Sequence, residues 1–475
     1  MKAILIVSDT LRRDFLGVYG NKWISTPNID KLGKISFVFD HAYCASFPTV
    51  PARRDILLGK YTFLYSGWEP LRSNEVTVAQ ILGENGYTTM LIADTPHFLR
   101  DGFNYQRGFT GWKWIRGQEN DDYITDEIKI ELPCDPSKLR CPDTTVVQYF
   151  KNISQRVYEE DYFSPKTFSE AIRWLEKNYR REKFFLYIDT FDPHEPWDPP
   201  RWYVDMYDPD YKGEEVIYPR YDYSDYLTPE EMKHIRALYA GEVTLVDRWL
   251  GRFLTKVEDL GLLKNTLIIF TTDHGFLHGE HGFIGKSIIR ENKFAYIPLY
   301  EEIAHIPLLM YVPGEKPRRV KDIVQLPDIP STILDWAGIG IPEDYQGYSL
   351  LQIIKGKVKK RKTALSSPPL PPLTTGTRIT LTTKEWSCII PPKYTKRERG
   401  VELSVDGKEK EAMEEIKVFP ELYNLRSDPQ QKYNLWEKEK EVARQLHTLL
   451  IKELQNLQAK EEIIENWREA FTTEI

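Results

Sequence analysis

The residues best suited to chemistry are a hydroxyl and a guanidinium at the start of a predicted helix. Thr49 and Arg53 lie four positions apart in the run Thr49-Val50-Pro51-Ala52-Arg53, so both side chains can face one site on a helix. Pro51 is tolerated in the first turn, where the free backbone amides favour an anion. The alternative interpretation is a capped surface helix. The other chemically active residues of the chain distinguish the two.

Carboxylates and an imidazole follow two of the predicted strands. Asp9 comes after the apolar run Ala3 to Val7, and Asp273 and His274 come after the run Thr266 to Thr271. Such runs are typical of strands buried in a parallel sheet, and open α/β sheets place ligand-binding groups at the carboxyl ends of these strands. A helix N-cap is the alternative role for Asp9.

Asp9, Asp273 and His274 are oxygen and imidazole donors that suit a divalent cation such as Mn²⁺, Zn²⁺, Mg²⁺ or Ca²⁺. With Thr49 as a further ligand, the cation would stabilise the alkoxide of that hydroxyl and so generate a nucleophile at neutral pH. One metal site is expected, because the sequence offers no second cluster of ligands.

Two histidines and a lysine complete the candidate set. His97 and His194 each follow a predicted strand, and Lys286 ends a glycine-rich loop. These side chains are candidates to hold the anionic oxygens of a tetrahedral substrate while a histidine protonates the leaving group. The alternatives are structural histidines and an ordinary surface lysine. The predicted catalytic residues are Thr49, Arg53, His194 and Lys286, the predicted substrate-binding residues are His97, His194 and Lys286, and the predicted metal ligands are Asp9, Thr49, Asp273 and His274.

Composition narrows the class of partner. The 475 residues carry a net charge of −7, which argues against a general nucleic-acid or anionic-membrane binder and favours a small anionic ester held in a local positive site. No run approaches the roughly 20 apolar residues of a membrane-spanning helix. We therefore expect a cytoplasmic protein without a membrane partner, with homo-oligomerisation left open.

Four cysteines are too few for a disulfide framework and lack the spacing of a zinc site. Free thiols are expected, although Cys134 and Cys141 flank a short loop and pairing between them is the alternative.

The chain is predicted to fold as an α/β catalytic domain over residues 1–370 and a C-terminal α+β subdomain with an antiparallel sheet over residues 371–475. A Pro-, Ser- and Thr-rich stretch separates the two. Residues 100–160 have weak periodicity and indicate an insertion over the catalytic face, while residues 201–227 are interpreted as a surface excursion. The run Ile306 to Tyr311 is predicted to be an edge strand because it contains a proline.

The motifs taken together resemble the sulfatase family of the alkaline phosphatase superfamily, from about residue 2 to residue 436. The resemblance rests on these motifs in order: Asp9 after the first strand, Thr49-x-Pro51-x-Arg53 with Gly59, Asp273-His274-Gly275, Gly282 to Lys286, Tyr300-Glu301-Glu302 before Ile306-Pro307-Leu308, Pro330 to Asp335, and Glu421 to Leu425 with Asp428-Pro429. It implies an alkaline-phosphatase-like mixed, mostly parallel sheet between helices. It also implies that Thr49 is the nucleophile, that Arg53 is its helix partner, and that Asp9, Asp273 and His274 are metal ligands. His194 and Lys286 would contact the substrate anion.

The chain departs from the family pattern at positions that matter for chemistry. Thr49 stands where sulfatases have the Cys or Ser that is oxidised to formylglycine, and threonine cannot yield that aldehyde. Thr10 replaces a frequent second acidic ligand, and Thr95 replaces a lysine two residues before His97. The Asp273-His274 pair resembles phosphonate monoester hydrolases and phosphodiesterases more than arylsulfatases.

We therefore expect a metal-dependent hydrolase of a phosphate diester, a phosphonate monoester or a sulfate ester that works through a covalent Thr49 intermediate. The alternatives are a phosphoryl or phosphoethanolamine transferase of the same superfamily and a non-catalytic, anion-binding homologue.

Overall fold

Apolar, β-branched runs form the strands at the centre of the molecule. The computed structural model describes residues 1–290, 293–358, 360–393, 402–403, 409–412 and 418–468. The strands are β1 Lys2–Ser8, β2 Phe37–Tyr43, β3 Thr88–Ala93, β4 Gly111–Trp114, β5 Phe184–Thr190, β6 Asp222–Tyr223, β7 Thr266–Thr271, β8 Leu277–His278, β9 Phe283–Gly285, β10 Ser287–Arg290, β11 Lys293–Tyr296, β12 His305–Ile306, β13 Leu308–Tyr311, β14 Arg318–Gln325, β15 Ala364–Ser366, β16 Ile379–Thr382, β17 Trp386–Ile390, β18 Glu402–Leu403, β19 Glu409–Ala412 and β20 Glu421–Asn424.

Nine of the described strands form the main sheet, in the order β12-β2-β13-β7-β1-β5-β3-β4, with β14 paired to β2. The five strands from β7 to β4 are mutually parallel, and β13 is antiparallel to both of its neighbours. Every residue of β1, β5 and β7 is buried, as expected for strands covered on both faces. The predicted mixed, mostly parallel α/β sheet is confirmed.

Helices pack against this sheet in two groups. One group contains α1, α6 and α8, and the other contains α2, α3, α10 and α11. The α-helices are α1 Pro27–Lys34, α2 Thr49–Leu58, α3 Val78–Glu84, α4 Pro96–Leu99, α5 Val147–Asn152, α6 Phe163–Asn178, α7 Arg201–Val204, α8 Pro229–Asp259, α9 Glu301–Ala304, α10 Asp328–Ala337, α11 Leu350–Ile354, α12 Lys440–Asn456 and α13 Glu461–Arg468. Across the described residues, no helix combines the length and the apolar character needed to cross a membrane.

A second, smaller sheet forms near the C-terminus. Strands β15, β16, β17 and β20 pair in that order and are antiparallel, and α12 and α13 contribute to a separate hydrophobic cluster with them. The predicted C-terminal antiparallel sheet is therefore confirmed. Strand β15 comes from residues before position 371, while the boundary between the two domains stays a prediction.

Two local predictions are wrong. The run Ile306 to Tyr311 is not an edge strand, because β13 lies between β2 and β7. Pro307 falls between the short strands β12 and β13, so its missing N–H breaks no ladder, and its carbonyl accepts a hydrogen bond from Thr271 Oγ1 at 2.7 Å. Residues 201–227 are not simply a surface excursion, because the aromatic side chains of Tyr218 and Tyr221 are buried.

Candidate active site

Three carboxylates converge at the carboxyl ends of adjacent parallel strands. Asp9 follows β1, Asp189 lies near the end of β5, and Asp273 follows β7. All three side chains are completely buried. Since β1 pairs with both β5 and β7 in parallel, the topology brings residues separated by more than 260 positions to one edge.

Thr49 begins α2, a helix in which all ten residues are buried. Its Oγ1 lies 3.5 Å from His274 Nε2, and the N-cap position of the helix is occupied by Pro48. The capped surface helix considered from the sequence is therefore wrong. The loop before Thr49 is tied down by Asp55, whose carboxylate accepts hydrogen bonds from the Ser46 backbone N–H and hydroxyl, each at 2.7 Å.

His274 presents a lone pair to the Thr49 hydroxyl. Its Nδ1 lies 2.9 Å from the Gly275 carbonyl oxygen, which can only accept a hydrogen bond, so Nδ1 carries the proton and Nε2 is left as an acceptor. Burial, reinforced by the charge of Lys286, lowers the pKa of His274 to about 3. The imidazole is thus neutral at physiological pH, as a metal ligand or a proton acceptor must be.

The residues Asp9, Asp273 and His274 form a group that fits a divalent cation. Their ligand atoms lie within 4.8 Å of one another. Neither oxygen of Asp9 accepts a well-aligned hydrogen bond from any described residue. Burial and the neighbouring Asp273 carboxylate raise the pKa of Asp9 well above its ordinary value. Buried carboxylate oxygens whose hydrogen-bonding capacity is not filled are costly, and a cation would fill it.

Arg53 faces carboxylates rather than the open cavity. Its Nη1 lies 2.8 Å from Asp9 Oδ2 and also contacts Asp273 Oδ2. Its Nε and Nη2 bind the two oxygens of Asp189 at 3.1 and 2.8 Å. Burial alone would raise the pKa of Asp273, but the charge of Arg53, the neighbouring His274, the charge of Lys286 and the hydrogen bond from the Thr10 backbone N–H together lower that pKa below its ordinary value. Arg53 therefore orients the acidic residues of the site.

Lys286 and His194 form a hydrogen-bonded pair beside Thr49. The distance from Lys286 Nζ to His194 Nε2 is 2.7 Å, and His194 Nδ1 lies 2.7 Å from the Glu195 carbonyl oxygen. His194 Nδ1 therefore carries a proton and Nε2 accepts one from the lysine. Burial and the charge of Lys286 lower the pKa of His194 well below its ordinary value. The cation of this pair is the lysine.

A narrow cavity of about 30 Å³ adjoins these groups. Of the predicted residues, Thr49, His97, His194 and Lys286 line it; the other described lining residues are Trp68, Glu119, Asn120, Arg140, Cys141, Thr145 and Tyr218. His97 Nε2 lies 2.9 Å from Glu119 Oε2. Burial lowers the pKa of His97.

The insertion over the catalytic face contributes residues that sequence reasoning missed. Glu119 Oε1 accepts hydrogen bonds from Arg140 Nη2 at 2.9 Å and from the Tyr218 hydroxyl at 2.5 Å. Cys141, beside Arg140, is exposed and forms no disulfide with Cys134. Weak periodicity around these residues gave no signal for their position. Asp189 is different, since it ends a buried strand as Asp9 does, and the same rule identifies it.

Known proteins share both the sequence pattern and the fold. A family model described as Sulfatase matches residues 2–339. An arylsulfatase of Clostridium perfringens is 28% identical over 403 residues, which cover 74% of this chain and 78% of that protein. Human iduronate 2-sulfatase is 25% identical over 417 residues, which cover 72% of this chain and 70% of that protein.

Two solved structures illustrate the shared fold. The phosphonate monoester hydrolase of Agrobacterium radiobacter superposes with a TM-score of 0.70 at 20% identity, over 96% of this chain and 95% of that one. A protein solved in complex with its substrate D-glucosamine-2-N,6-O-disulfate superposes with a TM-score of 0.71 at 19% identity, over 97% and 99% of the two chains. With the family model spanning most of its length, this chain belongs to the sulfatase family and is a hydrolase of ester bonds.

Proposed function

We propose that the protein is a metal-dependent hydrolase of monoanionic esters, namely sulfate esters, phosphate diesters or phosphonate monoesters, with Thr49 as the nucleophile. The observation that carries the proposal is the position of the Thr49 hydroxyl. It lies 3.5 Å from His274 Nε2, and Thr49 lines one cavity with Lys286 and His194. A candidate nucleophile, a group of candidate metal ligands and a lysine that can bind an anion therefore lie close together.

The residues Asp9, Asp273, His274 and Thr49 would hold one divalent cation. Two carboxylates, a hydroxyl and a neutral imidazole suit Mn²⁺, Zn²⁺, Mg²⁺ or Ca²⁺. When bound, the cation lowers the pKa of the threonine hydroxyl and offsets the negative charge of the site.

The charge of the site favours a monoanion. Asp9, Asp189 and Asp273 contribute three negative charges, and Arg53 and Lys286 contribute two positive ones. A divalent cation changes this balance from one negative to one positive charge. The neighbouring Arg140, Glu119 and Glu195 add one positive and two negative charges, so they make the site less positive and disfavour a dianion further. A phosphate monoester, which is a dianion at neutral pH, is less well matched than a sulfate ester or a phosphate diester.

The side chains then have separate tasks. Lys286 holds the anionic oxygens of the ester with its remaining N–H groups, and His194 Nε2 fixes the position of the lysine. Thr49, after its proton has left to water, attacks the sulfur or phosphorus atom, and the bond to the alcohol oxygen breaks. The departing oxygen takes a proton from the Lys286–His194 pair. Water next attacks the sulfur or phosphorus atom, and the bond to Thr49 Oγ1 breaks. One proton of this water restores the threonine hydroxyl and the other returns to the Lys286–His194 pair, while sulfate, a phosphate monoester or a phosphonate leaves.

A substrate panel tests this function. Aryl sulfate, aryl phosphodiester, aryl phosphonate monoester and aryl phosphate monoester share one chromogenic leaving group. We expect kcat/KM for the best monoanionic ester to exceed that for the phosphate monoester by about tenfold or more. The reason is that the positive charge of the site does not compensate the second negative charge of the phosphate monoester. Each ester should be assayed with Mn²⁺, Zn²⁺, Mg²⁺ and Ca²⁺. Preference for the phosphate monoester under every metal would contradict the charge argument, and no hydrolysis of any ester would refute the function.

A further inference from the structure

Asp189 is a buried carboxylate that accepts four hydrogen bonds from three side chains. It accepts hydrogen bonds from Arg53 Nε and Nη2, from the Thr95 hydroxyl at 2.7 Å and from the Tyr187 hydroxyl at 2.7 Å. A bidentate arginine pair of this kind is geometrically specific, because the planar fork matches both carboxylate oxygens. Asp189 is therefore fixed in place and fixes one edge of the Arg53 guanidinium.

The remaining nitrogen of Arg53 points to the predicted metal ligands. Nη1 lies 2.8 Å from Asp9 Oδ2 and contacts Asp273 Oδ2. A buried positive charge in contact with two ligands of a divalent cation repels that cation, and burial strengthens the repulsion. Among the described residues, three carboxylates pair with Arg53, and Asp189 is the one of them that is not a candidate metal ligand. Its charge compensates the guanidinium without competing for the cation.

We propose that Asp189 is a positioning residue that neutralises and orients Arg53, so that Asp9 and Asp273 keep the charge and the geometry needed to bind a divalent cation. This inference rests on the proposed metal-dependent function. Thr95 stands where the sulfatase family pattern has a lysine. Its hydroxyl donates a hydrogen bond to Asp189, and it adds no further positive charge to the site.

Metal affinity, measured on the full chain by calorimetric titration with Mn²⁺, Zn²⁺, Mg²⁺ and Ca²⁺ in turn, tests the proposal without using turnover. Asp189→Asn keeps the size of the side chain and removes its charge, and we expect the metal Kd to rise by about 10- to 100-fold, as for other groups that support metal ligands. The matched control is Thr95→Val, which removes one hydrogen bond to Asp189 but no charge. Its Kd should stay within about fivefold of wild type.

A second variant separates this role from simple structural damage. Arg53→Met combined with Asp189→Asn removes both charges of the pair, and replacement of a buried ion pair by neutral residues is often tolerated. We expect the double variant to fold and to bind metal within tenfold of wild type, which is a recovery from the single Asp189→Asn change. The proposal would be overturned if the double variant folds but binds the metal no more tightly than Asp189→Asn. If Asp189→Asn does not fold, a folded double variant that binds no metal would overturn it instead.

Two further outcomes distinguish this inference from the proposed function. If wild type binds one of the four metals and Asp189→Asn binds it equally tightly, the role of Asp189 is wrong while the function stands. If wild type binds none of the four, the metal-dependent function is refuted and the role of Asp189 with it.

Discussion

Replacing Thr49 with valine is expected to lower kcat by at least about 10³-fold, the scale seen when a covalent nucleophile is removed. Valine keeps the branched shape and removes only the hydroxyl. Thr49 is the first residue of α2, whose N-cap is Pro48, and its hydroxyl contacts His274 Nε2 at 3.5 Å. We therefore expect the melting temperature to change by only a few degrees, since no buried network is broken.

Thr49→Ser is the matched control for that loss. It keeps a hydroxyl at the same position and should retain turnover within about tenfold of wild type, with the difference due to freer rotation of the unbranched side chain. Steady-state kinetics on the best ester of the substrate panel, together with thermal unfolding, measures both variants. Wild-type turnover in Thr49→Val would exclude Thr49 as the nucleophile.

Metal removal is expected to have an effect of similar size. After chelation and dialysis, turnover should fall by at least about 10³-fold, because the threonine hydroxyl would return to an ordinary, very high pKa. Addition of the preferred divalent cation should restore it. The cation should also raise the melting temperature, since a ligand at 100 times its Kd stabilises the folded state by about 2.7 kcal/mol.

Asp9→Asn is the variant that isolates the ligand role. Neither oxygen of Asp9 accepts a well-aligned hydrogen bond from the described part of the chain, and Arg53, which contacts Asp9 at 2.8 Å, keeps its ion pairs with Asp189 and Asp273 in this variant. The amide therefore removes the charge of one metal ligand and leaves the other contacts of Arg53 in place. Asp273 is a poorer choice, because its Oδ1 accepts hydrogen bonds from the backbone N–H groups of Thr10 and His274. In Asp9→Asn the metal-induced rise in melting temperature should disappear. A rise equal to that of wild type would contradict Asp9 as a ligand.

Much of the site could be predicted from sequence because open α/β sheets place ligand-binding groups at the carboxyl ends of their parallel strands. Asp9 and Asp273 follow apolar runs that had to be buried strands, and parallel neighbours place their carboxyl ends on one edge. The rule does not say which strands are neighbours. That information lies in the pairing of β1 with both β5 and β7, and it is what makes Asp189 part of the same cluster.

The cavity wall could not be predicted, because it is built from irregular chain. Glu119 and Arg140 come from a segment without helical or strand periodicity, and their partner Tyr218 comes from a stretch rich in polar and aromatic residues. Pairing between these two segments, with Arg140 N–H bound to the Tyr218 carbonyl at 3.0 Å, is a tertiary contact that no local pattern encodes. The prediction of an edge strand for the run Ile306 to Tyr311 is wrong for a similar reason, because its place in the sheet is also set by tertiary contacts. Pro307 marks a break between β12 and β13 rather than the border of the sheet.

The central claim is that Thr49 forms a covalent bond to the substrate's sulfur or phosphorus atom, and trapping that bond tests it most directly. The enzyme would be quenched in acid during steady-state turnover of the best ester, digested and analysed by peptide mass spectrometry. We expect a sulfuryl, phosphoryl or phosphonyl group on Thr49 of the wild-type peptide and none in Thr49→Val. If the enzyme turns over but no adduct is found under conditions that preserve a threonine ester standard, water attacks the substrate directly and Thr49 is not the nucleophile.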